Sequence, residues 1–323
     1  MCTVAVGSAL STHSAHGALS PSSPEVEAAV KRATTYLETA NEPRYGGKAL
    51  IGITLLKTGR SPDHAQIQKA VEAIRKNISD GPRGQDDEIY SLGISLIFLV
   101  ELDSKKYGTE IDWLLKRLLA LQKSHGGWGY IHRDTGDTSQ LQYAILALWT
   151  AVGAGYEIPD DAWKDAMGWM IRTQDIEGGF GYQGDDPGNY VRVFQSDVAN
   201  SLTSAALGSL YICQDHFQIA RQEEVDETVP TALHAKSDAP TRSRVAFDKK
   251  RLLKAVHDGD RWTAENFAVA PGSYPHYYMY AFERHQSFKQ AVGNTDFPVE
   301  NWYDQIARHL IKTQNDRGGW QRR

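Results

Sequence analysis

QKSHGGWGY, residues Gln122 to Tyr130, decides how this chain is read. The same layout returns as TQDIEGGFGY (Thr173 to Tyr182) and again as TQNDRGGW (Thr313 to Trp320). Each copy follows a helical pattern and sets a glutamine, three spacers, two glycines and an aromatic. Glycine just past a last helical turn reaches positive φ without steric penalty, so Gly126-Gly127, Gly178-Gly179 and Gly318-Gly319 read as helix stops. The following Trp128, Phe180 or Trp320 can fold back over the stop and bury a large area. The carboxamides of Gln122, Gln174 and Gln314 suit backbone groups left open at a neighbouring helix end. None of these groups is a good acid, base or nucleophile. The words read as architectural joints.

Working outward, helical periodicity fills the chain. Amphipathic patterns cover Glu25 to Thr39, Asp63 to Ile78, Glu110 to Lys123, Pro159 to Thr173, Phe247 to Val256 and Val299 to Thr313. Between them lie nearly all-apolar or aromatic runs, Ala49 to Thr58, Tyr90 to Leu102, Ser139 to Ala151, Asp197 to Ile212 and Tyr274 to Arg284. An amphipathic helix covers something, and a helix apolar all round is enclosed. Their alternation predicts an all-α protein with outer helices wrapped around inner ones. Gln122 and Gln174 lie 52 residues apart, a period of stacked helix pairs. Residues 1–22 read as a flexible N-terminal segment or degenerate export signal, and 23–323 as one domain. A polar stretch at about 222–244, with Pro230 and Pro240, reads as an insertion within that domain.

Composition excludes several classes. The 323 residues are 41% hydrophobic, ample for a large core, and a net charge of -5 gives no footprint for nucleic acid. Two cysteines, Cys2 and Cys213, make neither a disulfide framework nor a four-thiolate zinc site. No apolar run is long enough for a transmembrane helix. MCTVAVGSALSTHSAHGALS lacks the basic start and dense apolar stretch of a signal peptide, which leaves the compartment open.

The three words resemble the QW motifs of the squalene/oxidosqualene cyclase and protein prenyltransferase β-subunit superfamily. GDTSQLQYAILALWTA (Gly136 to Ala151), SLTSAALGSLYIC (Ser201 to Cys213), YYMYAFER (Tyr277 to Arg284) and NWYDQIARHLIKTQ (Asn301 to Gln314) extend the likeness. They are similar to bacterial proteins with prenyltransferase/squalene-oxidase repeats. The resemblance runs from about Glu25 to the C-terminus and implies an (α/α)6 toroid with inner helices around a central cavity. Five inner and six outer helices are expected, so the last inner position is open and a protein partner is conceivable there. Chemically the chain departs from the superfamily. The Asp-x-Asp-Asp acid motif of the cyclases is absent. The Asp-x-Cys zinc pair of the prenyltransferases is reversed in Cys213-x-Asp215, so no metal or other cofactor is expected.

Candidate site residues follow from the helix faces. Ser139, Gln142, Leu146 and Trp149 share one face of an inner helix. With Tyr90, Thr203, Tyr277 and Tyr278 they are the expected cavity lining, and aromatic rings of this kind stabilise carbocations or stack on flat ligands. Asp134, Asp137 and His276 are the candidate acids. N-capping is the simplest role for Asp137, and a general acid there requires burial to raise its pKa. The acidic pairs Asp86-Asp87, Asp160-Asp161 and Asp185-Asp186 read as solvated or structural. The expected function is binding of a hydrophobic or isoprenoid-like ligand, an extended ligand or a partner protein. The alternatives are a terpenoid cyclase/mutase-like reaction through a carbocation and a polysaccharide-active enzyme.

Overall fold

The computed structural model describes residues 17–81, 88–219, 248–272 and 274–320. Among them the protein is all-helical. In chain order the helices are α1 (Pro24–Glu38), α2 (Tyr45–Lys57), α3 (Ala65–Asp80), α4 (Glu88–Asp103), α5 (Gly108–Ala120) and α6 (Thr138–Gly153). They continue as α7 (Asp160–Arg172), α8 (Asn200–His216), α9 (Lys249–Asn266), α10 (Pro275–Ala291) and α11 (Trp302–Thr313). The insertion at 222–244, Cys2, Asp86 and Asp87, and residues 1–16 of the N-terminal segment lie outside the described residues. Gly17 and Leu19 lie on α11, where Arg308 donates to the Gly17 carbonyl and the Leu19 N–H donates to Asp304 at 2.7 Å. No described helix is long and apolar enough to cross a membrane.

Local chemistry sets the helix ends. Pro24 opens α1 with Glu25 and Glu27 in its first turn, where a fixed φ and acidic side chains suit the positive helix end. Asp248 caps α9 by accepting from the Lys250 and Arg251 amides. Two helices run well beyond their expected spans. α9 extends to Asn266 rather than Val256, and α10 to Ala291 rather than Arg284.

The apolar helices are the enclosed ones. α4 packs on both α2 and α6, α6 on α8, and α8 on α10, while α3, α5 and α9 flank α2, α4 and α8 respectively. Helix α7 touches α6, α8 and α9, and α11 packs on α1. The core runs through α4, α6 and α8, most of whose residues are buried. In α1, by contrast, only Ala29 and Thr34 are buried. A second, smaller cluster joins Tyr278, Met279 and Phe282 of α10 to Ile306 of α11.

The three glutamine words are equivalent joints. Gln122 Nε2 donates to the Gly126 carbonyl and to that of Ala162 on α7, both at 2.8 Å. Gln174 does the same with Gly178 and with Ala255 on α9. Gln314 does so with Gly318 and with Ala29 on α1, both at 2.9 Å. Each word therefore ties the end of its own helix to the next amphipathic one. The first glycine of each pair has positive φ and lies where a Cβ would meet a backbone carbonyl, of Asp165, Asp258 or Arg32. Trp128 and Trp320 fold back ten residues, their indole N–H groups donating to the carbonyls of Leu118 and Leu310. Phe180 has no such donor and is fixed instead through its amide, which donates to Thr203 Oγ1 at 3.0 Å.

Candidate functional site

The start of α6 is wedged between the first two joints. The Asp137 amide donates to the Trp128 carbonyl at 2.7 Å, and the Thr138 amide and hydroxyl donate to the carbonyls of Tyr182 and Gly181. Asp137 is fully enclosed and caps the helix through Oδ1, which accepts from the Gln140 amide at 2.9 Å. The Ser139 hydroxyl donates to the same oxygen at 2.5 Å. Tyr90 OH lies 2.5 Å from Ser139 Oγ. With the serine proton directed at Asp137, Tyr90 must donate to Ser139. Asp137 Oδ2 is shielded from solvent and has no hydrogen-bond partner. Burial pushes the carboxyl above the ordinary carboxylate value, against the opposing hydrogen bonds from Ser139 and Gln140.

Tyrosines surround this carboxyl. The joint loops bring Tyr130 and Tyr182 together with their hydroxyls 2.7 Å apart. Gln142 Nε2 donates to Tyr277 OH at 2.7 Å, linking α6 to α10. Tyr90 meets Tyr143 edge-on at 5.2 Å, and Tyr143 stacks on Tyr280 at 5.9 Å with an interplanar angle of 8°. Burial drives the Tyr277 phenol well above its usual value, with added contributions from Tyr143, Tyr90, Asp137 and Tyr182. The Tyr277 phenol is therefore neutral at any physiological pH. Beneath them, the space lined by Gln142, Tyr143, Tyr280 and Arg284 holds about 10 Å³, roughly one water.

Tyr90, Gln142, Tyr277 and Asp137 are thus brought together. Other expected site residues lie elsewhere. Thr203 is held by the second joint, and Tyr278 is packed against Phe282 in the cluster under α11. Trp149 is on the face that carries Gln142 but opens at the other end of α6. His276 is exposed, 6.1 Å from Trp320, and burial together with His309 holds its ring below the ordinary imidazole value. A ring shifted that way is neutral near pH 7. Asp134 is also exposed, its carbonyl within hydrogen-bond reach of His125 Nε2. Asp134 and Asp137 share no open groove, since one faces solvent and the other is enclosed.

Sequence reasoning missed Tyr130, Tyr143 and Tyr182 as site residues. The signal for two of them was present, a tyrosine two places after the aromatic in both GGWGY and GGFGY. Lys123 was missed as well. Its ammonium donates to the carbonyls of Tyr130, Arg133 and Thr135, pinning the loop that delivers Tyr130 and Asp137. That loop reads Asp134-Thr135-Gly136-Asp137, with acids at the first and fourth positions of an Asp-x-Asp-Asp. At the third, a Cβ on Gly136 would lie 2.3 Å from the Trp169 indole, so no acid fits there.

No protein-family model matches the chain, and no curated protein matches it. Among the described residues, no three His, Cys, Asp or Glu side chains converge as a metal set. Cys213 is enclosed, and burial pushes its thiol up to about 12.

A second polar cluster joins α8, α9 and α10. Asp260 Oδ2 accepts from Tyr211 OH at 2.6 Å and lies 3.2 Å from Lys289 Nζ, while Oδ1 lies 2.7 Å from His285 Nε2. Asn294 donates to Tyr211 OH at 2.7 Å. Its members come from α8, α9 and α10 and bond to one another, so the cluster holds these helices together.

Proposed function

We propose that the helices form an α/α toroid of the squalene cyclase and protein prenyltransferase type, and that a hydrophobic, isoprenoid-like ligand docks against the tyrosine cluster at the mouth, over rather than within the space of about 10 Å³ lined by Gln142, Tyr143, Tyr280 and Arg284. The alternation of enclosed and amphipathic helices and the three equivalent joints support the toroid. The ligand reading rests on one observation, the convergence of Tyr90, Tyr130, Tyr182 and Tyr277 around a carboxyl whose Oδ2 has no protein partner. Ring faces provide dispersion contact for an unsaturated chain. Burial raises the Asp137 pKa and so disfavours its charged form, and among the described residues no cation is paired with it, which suits the site to an uncharged ligand better than to an anion. The test is a titration of the protein with polyprenols of graded length, followed by intrinsic fluorescence. Saturable binding is expected, weakened about tenfold in Tyr277→Ala by loss of one ring face. Absence of saturable binding by every polyprenol defeats the reading.

A second reading is acid-initiated chemistry, favoured by the raised pKa of Asp137. The proton on Asp137 would pass to an alkene carbon, whose π pair forms the new C–H bond. A carbocation remains on the more substituted carbon, facing tyrosine rings, and Asp137 becomes a carboxylate. Loss of a proton from the cation back to that carboxylate would complete the cycle. Product analysis after incubation with polyprenyl substrates tests it, and identical products from Asp137→Asn would eliminate this route.

A further inference from the structure

At the carboxyl end of the same inner helix lies a separate open cleft of about 560 Å³. Its walls are the last turns of α4 (Val100, Glu101), α6 (Trp149, Thr150) and α8 (Asp215). It is far from the tyrosine mouth, since ten residues of helix separate Ser139 from Trp149, about 15 Å of rise. We propose that this cleft binds a small organic cation, an alkylammonium group, independently of the ligand at the mouth.

Three observations point to that charge. The carboxyl ends of three helices meet here, and each brings the negative end of its dipole. Two carboxylates, Glu101 and Asp215, lie among the wall residues, and among the described residues of the wall there is no lysine or arginine. Lys57 reaches Glu101 from outside the wall and is paired with it at 2.6 Å. His216, also in the wall, is stacked on Trp163 at 4.2 Å and faces the core.

The third observation is Trp149. An indole on an inner helix that is 36% exposed is out of place in a core and in place as the wall of a binding cleft. Its orientation is fixed from two sides. The indole N–H donates to Asp215 Oδ2 at 2.8 Å, and Phe288 packs edge-on at 5.1 Å. Asp215 draws electron density toward the ring through that hydrogen bond and supplies the adjacent negative charge. An alkylammonium ion seated there would meet an indole face and a carboxylate together, the combination that recognises such ions.

Choline and 3,3-dimethyl-1-butanol, which has carbon in place of the quaternary nitrogen, separate charge from shape. Titration of the full chain by calorimetry should show saturable choline binding at least about tenfold tighter than that of the neutral isostere. Trp149→Leu and Asp215→Asn should each lower choline affinity several-fold while leaving the melting temperature near wild type, since both side chains are exposed. Tyr277→Ala should leave choline affinity unchanged, which keeps this result separate from that at the mouth. Equal binding of the two probes, no binding of choline, or choline affinity untouched by both cleft variants would each overturn the proposal.

Discussion

Asp260 and His285 meet at 2.7 Å with both side chains shielded from solvent, and Lys289 closes on the same carboxylate. Desolvation works to raise the Asp260 pKa, but the hydrogen bond and charge of His285 and the charge of Lys289 hold it below the ordinary carboxylate value of 3.8. A depressed carboxylate contributes stability above its unfolded pKa and loses it as pH falls through the folded value. Asp260→Asn should therefore flatten the acid limb of stability below about pH 4. At neutral pH it leaves the buried Lys289 without its counter-charge, a loss on the order of 3 kcal/mol in urea denaturation.

Asp137 should behave with the opposite sign. Burial raises its carboxyl above 3.8, so the folded state binds the proton more tightly than the unfolded chain. Its contribution is present below the unfolded value and is lost as pH rises through the raised one. Asp137→Asn keeps a good N-cap and removes the titration. Denaturation midpoints of that variant should be less pH-dependent than wild type from about pH 4 upward. A wild-type slope retained in the variant would assign the titration to another group.

The three joints should differ in sensitivity. Gln174 is fully buried and also accepts from Arg192, whereas Gln122 and Gln314 are half-buried. Gln174→Ala removes the side-chain donor to the buried Gly178 and Ala255 carbonyls and one of the two acceptors of Arg192, which keeps its pair with Asp258, a loss of about 2–3 kcal/mol. Gln122→Ala should cost about half that, because water reaches the exposed groups. Denaturant midpoints of the two variants give the comparison directly.

Glycine substitution separates backbone strain from collision. Gly178 has φ of 107° and a Cβ there would lie 2.5 Å from the Asp258 carbonyl. Gly178→Ala should cost 3 kcal/mol or more, on the order of a strained φ plus displacement of α9. Gly59, at φ of 82°, has open space around it, so Gly59→Ala should cost only about 1 kcal/mol. Thermal melts of the pair measure the collision as their difference.

The all-helical class was legible because apolar spacing records which faces are enclosed. The two helix ends that were misplaced share one cause. Asp258, Gly259 and Asp260 interrupt the apolar pattern of α9, and His285 and Lys289 interrupt that of α10. Yet Gly259 admits the Leu207 side chain, and Asp260, His285 and Lys289 satisfy one another. A buried polar network looks like a surface until its partners are known, and these lie on different helices. The candidate site was half legible for a similar reason. The capping role of Asp137 is local and could be read from its neighbours. Its enclosure by Tyr90, Tyr182 and Tyr277 depends on packing between helices far apart in sequence, which no local pattern encodes.

The joint between α11 and α1 also bears on the order of folding. Gln122 reaches its partner Ala162 across 40 residues, whereas Gln314 reaches Ala29 across 285. The entropy of closing the longer loop exceeds that of the shorter by about 1.7 kcal/mol for chemically identical hydrogen bonds. The third joint is therefore the last of these to form and the first to open. In native-state hydrogen exchange, the amides of α11 should exchange through local opening while those of α7 await unfolding of the whole domain.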